Sequence, residues 1–208
     1  MTHDPNLTLQ RFYRWNAPIY DLTRWTILRG RQAAIEALRL RPGERVLEIG
    51  CGTGLNLARL RQQVGARGLV VGLDHSYAML ARARRRRLPH VCLVQADAAR
   101  LAFRGRFHAV LMAYSLRMIP DWNGALERAC AHLEPDGTLV VLDFAPRTEP
   151  LAFWRALLDR HLAWNHVDTG RDLKGALQQC MEQVEELDAV PAYVTLLRGT
   201  GLRMPSEL

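Results

Sequence analysis

The sequence predicts one α/β domain of 208 residues, a mostly parallel sheet with helices on both faces. Three observations carry this. Apolar runs of strand length alternate with stretches of helical spacing. Three glycines at alternate positions, Gly50, Gly52 and Gly54, follow the apolar run Val46-Leu47-Glu48-Ile49. A second apolar run, Leu69 to Leu73, ends in a carboxylate, Asp74. With 49% hydrophobic residues the chain can fill a complete core, and no repeat, low-complexity tract or Pro/Ser-rich linker divides it.

The first unit reads as strand, tight turn and helix, the helix marked by Leu55, Leu57, Ala58 and Leu60. Glycines there allow positive φ and let a ligand lie against the main chain, a turn suited to a nucleoside. The dinucleotide fingerprint needs a glycine where Leu55 stands, and a P-loop needs a Gly-Lys pair, whereas the only lysine is Lys174. Asp74 closes strand two, and either it or Ser76 caps a helix beginning near Tyr77. Val91 to Gln95 is strand three, Phe107 to Tyr114 strand four, and Asp121 to Leu133 has helical spacing. Pro135-Asp136-Gly137 makes a turn before strand five, Thr138 to Phe144. Strands six and seven are expected over residues 183–190 and 192–199, separated by Pro191.

The run Glu48-Ile-Gly-Cys-Gly-Thr-Gly54 resembles motif I of the class I S-adenosylmethionine (SAM) methyltransferases. The resemblance implies a Rossmann-like fold of seven strands, the last antiparallel, with an amino-terminal lid helix over residues 1–40 and the core over 41–208. It implies SAM as cofactor, with Gly50, Cys51, Gly52, Thr53 and Gly54 cradling it and Glu48 attracting its ammonium group. Asp74 would take the ribose hydroxyls, and His75 and Met79 would lie beside the adenosine. Val91 to Ala98 looks like motif III, in which Asp97 accepts from the adenine amino group and the Ala98 N–H donates to the ring. Tyr114 and Ser115 would sit over the cofactor.

The net charge of +7 and the pI near 9.8 come almost entirely from arginine and favour contact with something anionic. The densest run, Arg82 to Arg87, is read as solvated cations complementing a helix carboxyl end. It has no interleaved aromatics and there is no nucleic-acid motif, so nucleic acid is not expected as a partner. Four scattered cysteines read as free buried thiols in a reducing compartment. With no signal-like amino terminus and no long apolar stretch, a cytoplasmic location is expected. His161 and His166 are off helical metal spacing, and no metal site is expected.

Between Leu9 and Arg31, aromatic and arginine side chains mix as they do in helices that lie on bilayers, so peripheral contact with an anionic membrane is expected. The stretch Phe12 to Trp25, followed by Gly30-Arg31, is similar to the amino end of bacterial methyltransferases acting on lipid head groups. The closest are those that N-methylate diacylglyceryl homoserine to a betaine lipid, with phosphatidylethanolamine N-methyltransferases nearby. Ser115 to Trp122 and His166-Val167-Asp168 look like the same group. The expectation is therefore N-methylation of an amine-bearing lipid head group. Such an amine must lose a proton before it can attack, and Tyr20, Asp143 and His166 are the expected catalytic groups. The alternatives are a methyltransferase for a quinone or soluble small molecule, since a Tyr-Asp pair such as Tyr20-Asp21 also occurs in quinone-ring C-methyltransferases, and a non-catalytic nucleic-acid binder.

Overall fold

The computed structural model describes residues 29–145, 170–188 and 193–203. These form a seven-stranded sheet in the order β3-β2-β1-β4-β5-β7-β6. Its strands are β1 (Arg45–Ile49), β2 (Leu69–Asp74), β3 (Val91–Gln95), β4 (Phe107–Ala113), β5 (Leu133–Phe144), β6 (Met181–Glu186) and β7 (Val194–Leu202). All neighbouring pairs from β3 to β5 are parallel, and β7 runs antiparallel to both β5 and β6. The expected seven-stranded class I methyltransferase fold is present. Because the strand order reverses between β1 and β4, the carboxyl ends of those strands flank a crevice, which is where open α/β sheets bind ligands.

Helices α1 (Arg31–Ala37), α2 (Leu57–Val64), α3 (Tyr77–Arg85), α4 (Trp122–Ala131) and α5 (Leu173–Cys180) cover the sheet. One core packs α1, α2 and α3 against one face, through residues such as Ile35, Leu60 and Leu80. The other packs α4 and α5 on the opposite face, through Leu126, Ala129 and Leu177. The central strands bury both faces, so β1 and β4 read as continuous apolar runs rather than alternating ones.

Local chemistry explains where the elements begin. Ser76 Oγ accepts from the Met79 N–H and caps α3, while Asp121 Oδ1 accepts from Gly124 to start α4 and Asp172 Oδ1 from Gly175 to start α5. Strand β5 starts earlier than its sequence suggests. Leu133 pairs with Phe107 and Thr138 with Ala109, so residues 134–137 form a bulge where the Pro135-Gly137 turn was expected. The cysteine expectation is corrected in part: Cys51 and Cys130 are buried, Cys180 is half-buried and Cys92 is exposed. Cys92 sits on β3, an edge strand of the described sheet.

Leu126 of α4 is buried between the sheet and α5. Leu126→Ala should cost ~2–5 kcal/mol through lost burial and the cavity left behind. In urea unfolding this appears as a lowered midpoint with an unchanged slope.

Candidate functional site

Each glycine of the turn after β1 answers a different demand. At Gly50, φ is 74° and an added Cβ would lie 2.3 Å from Ser115 Cβ, so only glycine lets the end of β4 close onto the turn. At Gly54 an added Cβ would meet Leu57 Cδ1 at 2.9 Å and Ala83 Cβ at 3.1 Å, so glycine lets the start of α2 pack against α3. At Gly52 an added Cβ would meet no atom of the described residues within 4 Å, and the residue lines a cavity. That open side is the space a ligand would use.

Asp74 holds this turn in place. Its Oδ2 accepts from the Gly52 N–H and its Oδ1 from the Ser76 N–H, both at 2.8 Å. The carboxylate therefore ties the glycine turn to the entry of α3, and capping of α3 itself falls to Ser76. Burial raises the Asp74 pKa and the two N–H donors oppose that. On the other side, Ser115 Oγ donates to the Ile49 carbonyl at 2.9 Å. Arg86, within the arginine run, is exposed and donates through Nε to the Thr53 carbonyl at 2.6 Å, so this member of the run also braces the turn.

The cavity runs along the carboxyl edge of the sheet and encloses about 980 Å³ up to and including its mouth. Asp97 and Ala98 lie at the β3 end, with Asp97 Oδ1 accepting from the Ala99 N–H at 3.0 Å. His75 and Met79 come next, beside Asp74, followed by Cys51, Gly52 and Thr53 of the turn. Tyr114 and Ser115 close the β4 end. Burial, with Glu48 and Asp74 nearby, pushes the Cys51 thiol pKa up, so the thiol stays protonated and is no nucleophile. The paired carboxylates, the glycine backbone and the open space at Gly52 fit the adenosine part of SAM.

Glu48 does not reach the cavity wall. It is 1% exposed beneath the turn, its Oε1 accepts from Asn56 Nδ2 at 2.6 Å, and its Oε2 has no hydrogen-bond partner among the described residues. Burial pushes its pKa up to about 7, against the pull of Asn56 and Arg31. Tyr114 adopts φ 56°, unusual for a non-glycine residue, and donates through Oη to the Arg29 carbonyl. Its ring packs 5.1 Å from that of Phe144.

Of the expected catalytic groups, Tyr20 and His166 lie outside the described residues. Asp143 is described, and its expectation as a catalytic group is corrected. It is 1% exposed, lies off the cavity wall, and accepts from the backbone N–H groups of Arg117 at 3.1 Å and Phe144 at 2.9 Å. Its pKa is pushed up to about 6 by burial, opposed by those donors and by the charges of Arg117 and Arg171. The two arginines form a reciprocal latch. Arg117 donates to the carbonyls of Phe144 and Arg171, and Arg171 donates to those of Leu116 and Ile119 while its guanidinium lies 5.7 Å over the Trp122 ring. That latch fixes Met118, Ile119 and Pro120, an apolar stretch of cavity wall that sequence reasoning did not assign to the site. Arg31, also on the wall, was missed because one arginine among many carries no distinguishing signal in sequence.

Glu48 makes cation binding in the cavity pH-dependent. Its carboxylate forms as pH rises through about 7, and a sulfonium in the adjoining cavity favours the charged form. SAM affinity should therefore rise ~3–10-fold between pH 5.5 and 8, while Glu48→Gln flattens the curve. The sign for the ligand-free protein is opposite. A raised carboxyl pKa adds stability below about 4.5 that is lost as pH climbs through about 7. Calorimetric titrations and melts of both proteins across this range check the two slopes.

Comparison with known proteins follows this geometry. A methyltransferase domain family model matches residues 23–180. A demethylmenaquinone methyltransferase of Beutenbergia cavernae is 38% identical over 150 residues, 69% of this chain and 60% of that protein. The chain thus spans less than two thirds of that relative's length. One from Thermus thermophilus is 33% identical over 205 residues, 92% of this chain and 91% of the relative. The structure of a phosphoethanolamine N-methyltransferase of Haemonchus contortus, solved with S-adenosylhomocysteine, matches with a TM-score of 0.72. That match covers 89% of this chain and 47% of the other at 17% identity, which is a likeness of fold alone. These findings overturn the expected lipid head-group N-methyltransferase. These sequence relatives are quinone enzymes, and Asp143, one of the three groups expected to take the amine's proton, is buried and off the cavity wall. The chain belongs to the methyltransferase domain family and is a class I domain whose cofactor is SAM.

Proposed function

We propose that this protein methylates a ring carbon of a quinol acceptor of the demethylmenaquinone type. The observation that carries the reading is its 33% identity to the Thermus thermophilus demethylmenaquinone methyltransferase across 92% of the chain. The apolar wall of Met118, Ile119 and Pro120 supports it, since a flat hydrophobic ring needs such a surface and a cationic amine does not.

SAM supplies an electrophilic methyl group. In an in-line transfer the ring carbon would form the new C–C bond as the C–S bond breaks, S-adenosylhomocysteine leaving with the bonding pair and the ring proton passing afterwards to solvent water at the cavity mouth. The quinol hydroxyl drives the attack by releasing electron density into the ring. The residues of this chain orient the two partners. The glycine turn and Asp74 hold the nucleoside, while the latched wall holds the ring and keeps water from the methyl group.

An acceptor with a long apolar tail partitions into bilayers, so the reading carries with it action at the cytoplasmic face of a membrane. Its support there is the mixture of aromatics and arginines between Leu9 and Arg31. The protein should float with anionic vesicles and be released by raised salt, whereas equal recovery with neutral vesicles would remove the electrostatic part.

Purified full-length protein given SAM and demethylmenaquinol in detergent micelles should produce a monomethylated quinol by mass spectrometry. Phosphatidylethanolamine offered in the same micelles should remain unmethylated. Ile119→Asp, which places a carboxylate in the apolar wall, should raise KM for the quinol ~10-fold or more. Its S-adenosylhomocysteine affinity should stay near that of the wild type. Unmethylated quinol at saturating SAM would overturn the reading.

A further inference from the structure

Helices α4 and α5 pack against each other on one face of the sheet. At their amino ends Arg171, which precedes the Asp172 cap of α5, lies over Trp122, the first residue of α4. Farther along, Leu126 and Cys130 of α4 share one buried cluster with Leu173 and Leu177 of α5, and Cys180 packs against it. Leu126 and Cys130 stand four positions apart, and Leu173, Leu177 and Cys180 are spaced by four and three, so each set forms one stripe of its helix. Both stripes end in a thiol. Cys130 is buried, Cys180 is the half-buried last residue of α5, and their side chains are hydrogen-bonded to each other.

We propose that Cys130 and Cys180 are a redox pair, which a hydroperoxide converts to a disulfide joining α4 to α5. Cys180 is the attacking group, because it is half-buried where Cys130 is buried. The S–H of Cys130 donates to the Cys180 sulfur and lowers the Cys180 pKa to about 7, while burial and the nearby Glu127 carboxylate act the other way. A large part of Cys180 is therefore thiolate near neutral pH, the form that reacts with peroxides. The same hydrogen bond, together with burial, pushes the Cys130 thiol up, so it stays protonated until Cys180 has reacted. Cys51 has no such arrangement, since the carboxylates around it keep its thiol protonated.

Oxidation proceeds in two stages. The Cys180 thiolate, its proton already given to water, attacks the hydroxyl oxygen of the peroxide. The O–O bond breaks as the S–O bond forms, Cys180 becomes a sulfenic acid, and the departing oxygen takes a proton from water to leave as water or an alcohol. Cys130 then attacks the Cys180 sulfur. The S–S bond forms, the S–O bond breaks, and the leaving hydroxide combines with the Cys130 proton as water. The two thiols have lost two electrons and the peroxide has gained them. A dithiol reductant restores both thiols by exchange. The disulfide closes a long loop that contains β5, which restricts the unfolded chain, and it holds the carboxyl ends of the two helices while Arg171 and Trp122 hold their amino ends.

The test treats the reduced full chain with a small excess of hydrogen peroxide, blocks remaining thiols with iodoacetamide, and maps the digest by mass spectrometry. Wild type should yield a peptide pair joined through Cys130 and Cys180 that dithiothreitol separates. The oxidised protein should melt ~5–10 °C above the reduced one. Cys130→Ala should leave Cys180 as a sulfenic acid that dimedone traps. It should also move the midpoint of Cys180 alkylation from about 7 toward the ordinary thiol value of ~8.5, because the donor is gone. In Cys180→Ser, which keeps the core cysteine in place, Cys130 should remain reduced at the same dose. Melting curves check that both variants fold, and the wild-type map decides the matter without them. A wild type in which Cys180 is oxidised to sulfinic acid without pairing, or in which the disulfide joins another cysteine, would overturn the proposal. So would a melting temperature that oxidation leaves unchanged.

Discussion

Three backbone segments meet at the carboxyl edge of the sheet, and their amides must be satisfied without filling the space between them. The Asp74 carboxylate does this by accepting from Gly52 on one side and Ser76 on the other. Backbone donors left unpaired there would cost ~1–3 kcal/mol each. A side chain that reached farther would occupy the cavity, and one that reached less would leave the turn untied. Around that fixed point the remaining contacts follow. Gly50 admits Ser115, Gly54 admits α3, and Arg86 closes the outer side of the turn. The cavity is the space left when those demands are met together.

Two further carboxylates, Glu48 and Asp143, are fully buried at the carboxyl ends of β1 and β5, and they differ in what faces them. Asp143 accepts two backbone N–H groups and lies near two guanidinium groups, and burial still pushes it up to about 6. Glu48 has one amide donor and an oxygen with no partner among the described residues, and rises to about 7. Burial dominates in both, and the remaining gap is close to the ordinary difference between an aspartate and a glutamate. Asp143, which accepts from two backbone N–H groups, works as a fastener for the latch of Arg117 and Arg171. Glu48 keeps unused capacity beneath the cofactor turn, and the charge of a cation in the cavity can draw on it.

Legibility in the sequence tracked how local each constraint is. The positions of the strands and the glycine turn follow from apolar runs and glycine spacing, which leave a periodic signal within a few residues. The β3 end of the cavity was legible through the resemblance, which marked Asp74, Asp97 and the glycines at their strand ends. At the β4 end it marked Tyr114 and Ser115 and left the rest unread. Arg31, Met118, Ile119 and Pro120 acquire their places through contacts with residues far along the chain, as in the bond from Arg171 to Ile119 and that from Arg31 to Asn56. Asp143 was misread because its position at a strand end resembles that of Asp74, while the arginines that enclose it come from two other segments.

The same division accounts for the failure of the lipid-amine expectation. The aromatic and arginine residues near the amino terminus report affinity for an interface, and a methyltransferase for an apolar quinone needs that as much as one for a lipid head group. They carry no information about whether the nucleophile is nitrogen or carbon. That distinction depends on what lies beside the transferred methyl. An ammonium must surrender a proton before it attacks, so its enzyme needs an acceptor within hydrogen-bond reach. An aryl carbon releases its proton only after the new bond has formed, so its enzyme must above all hold the ring in line with the methyl group, and the proton can pass to solvent afterwards. Among the described residues Asp143 is committed to backbone donors, and Met118, Ile119 and Pro120 form an apolar stretch of cavity wall.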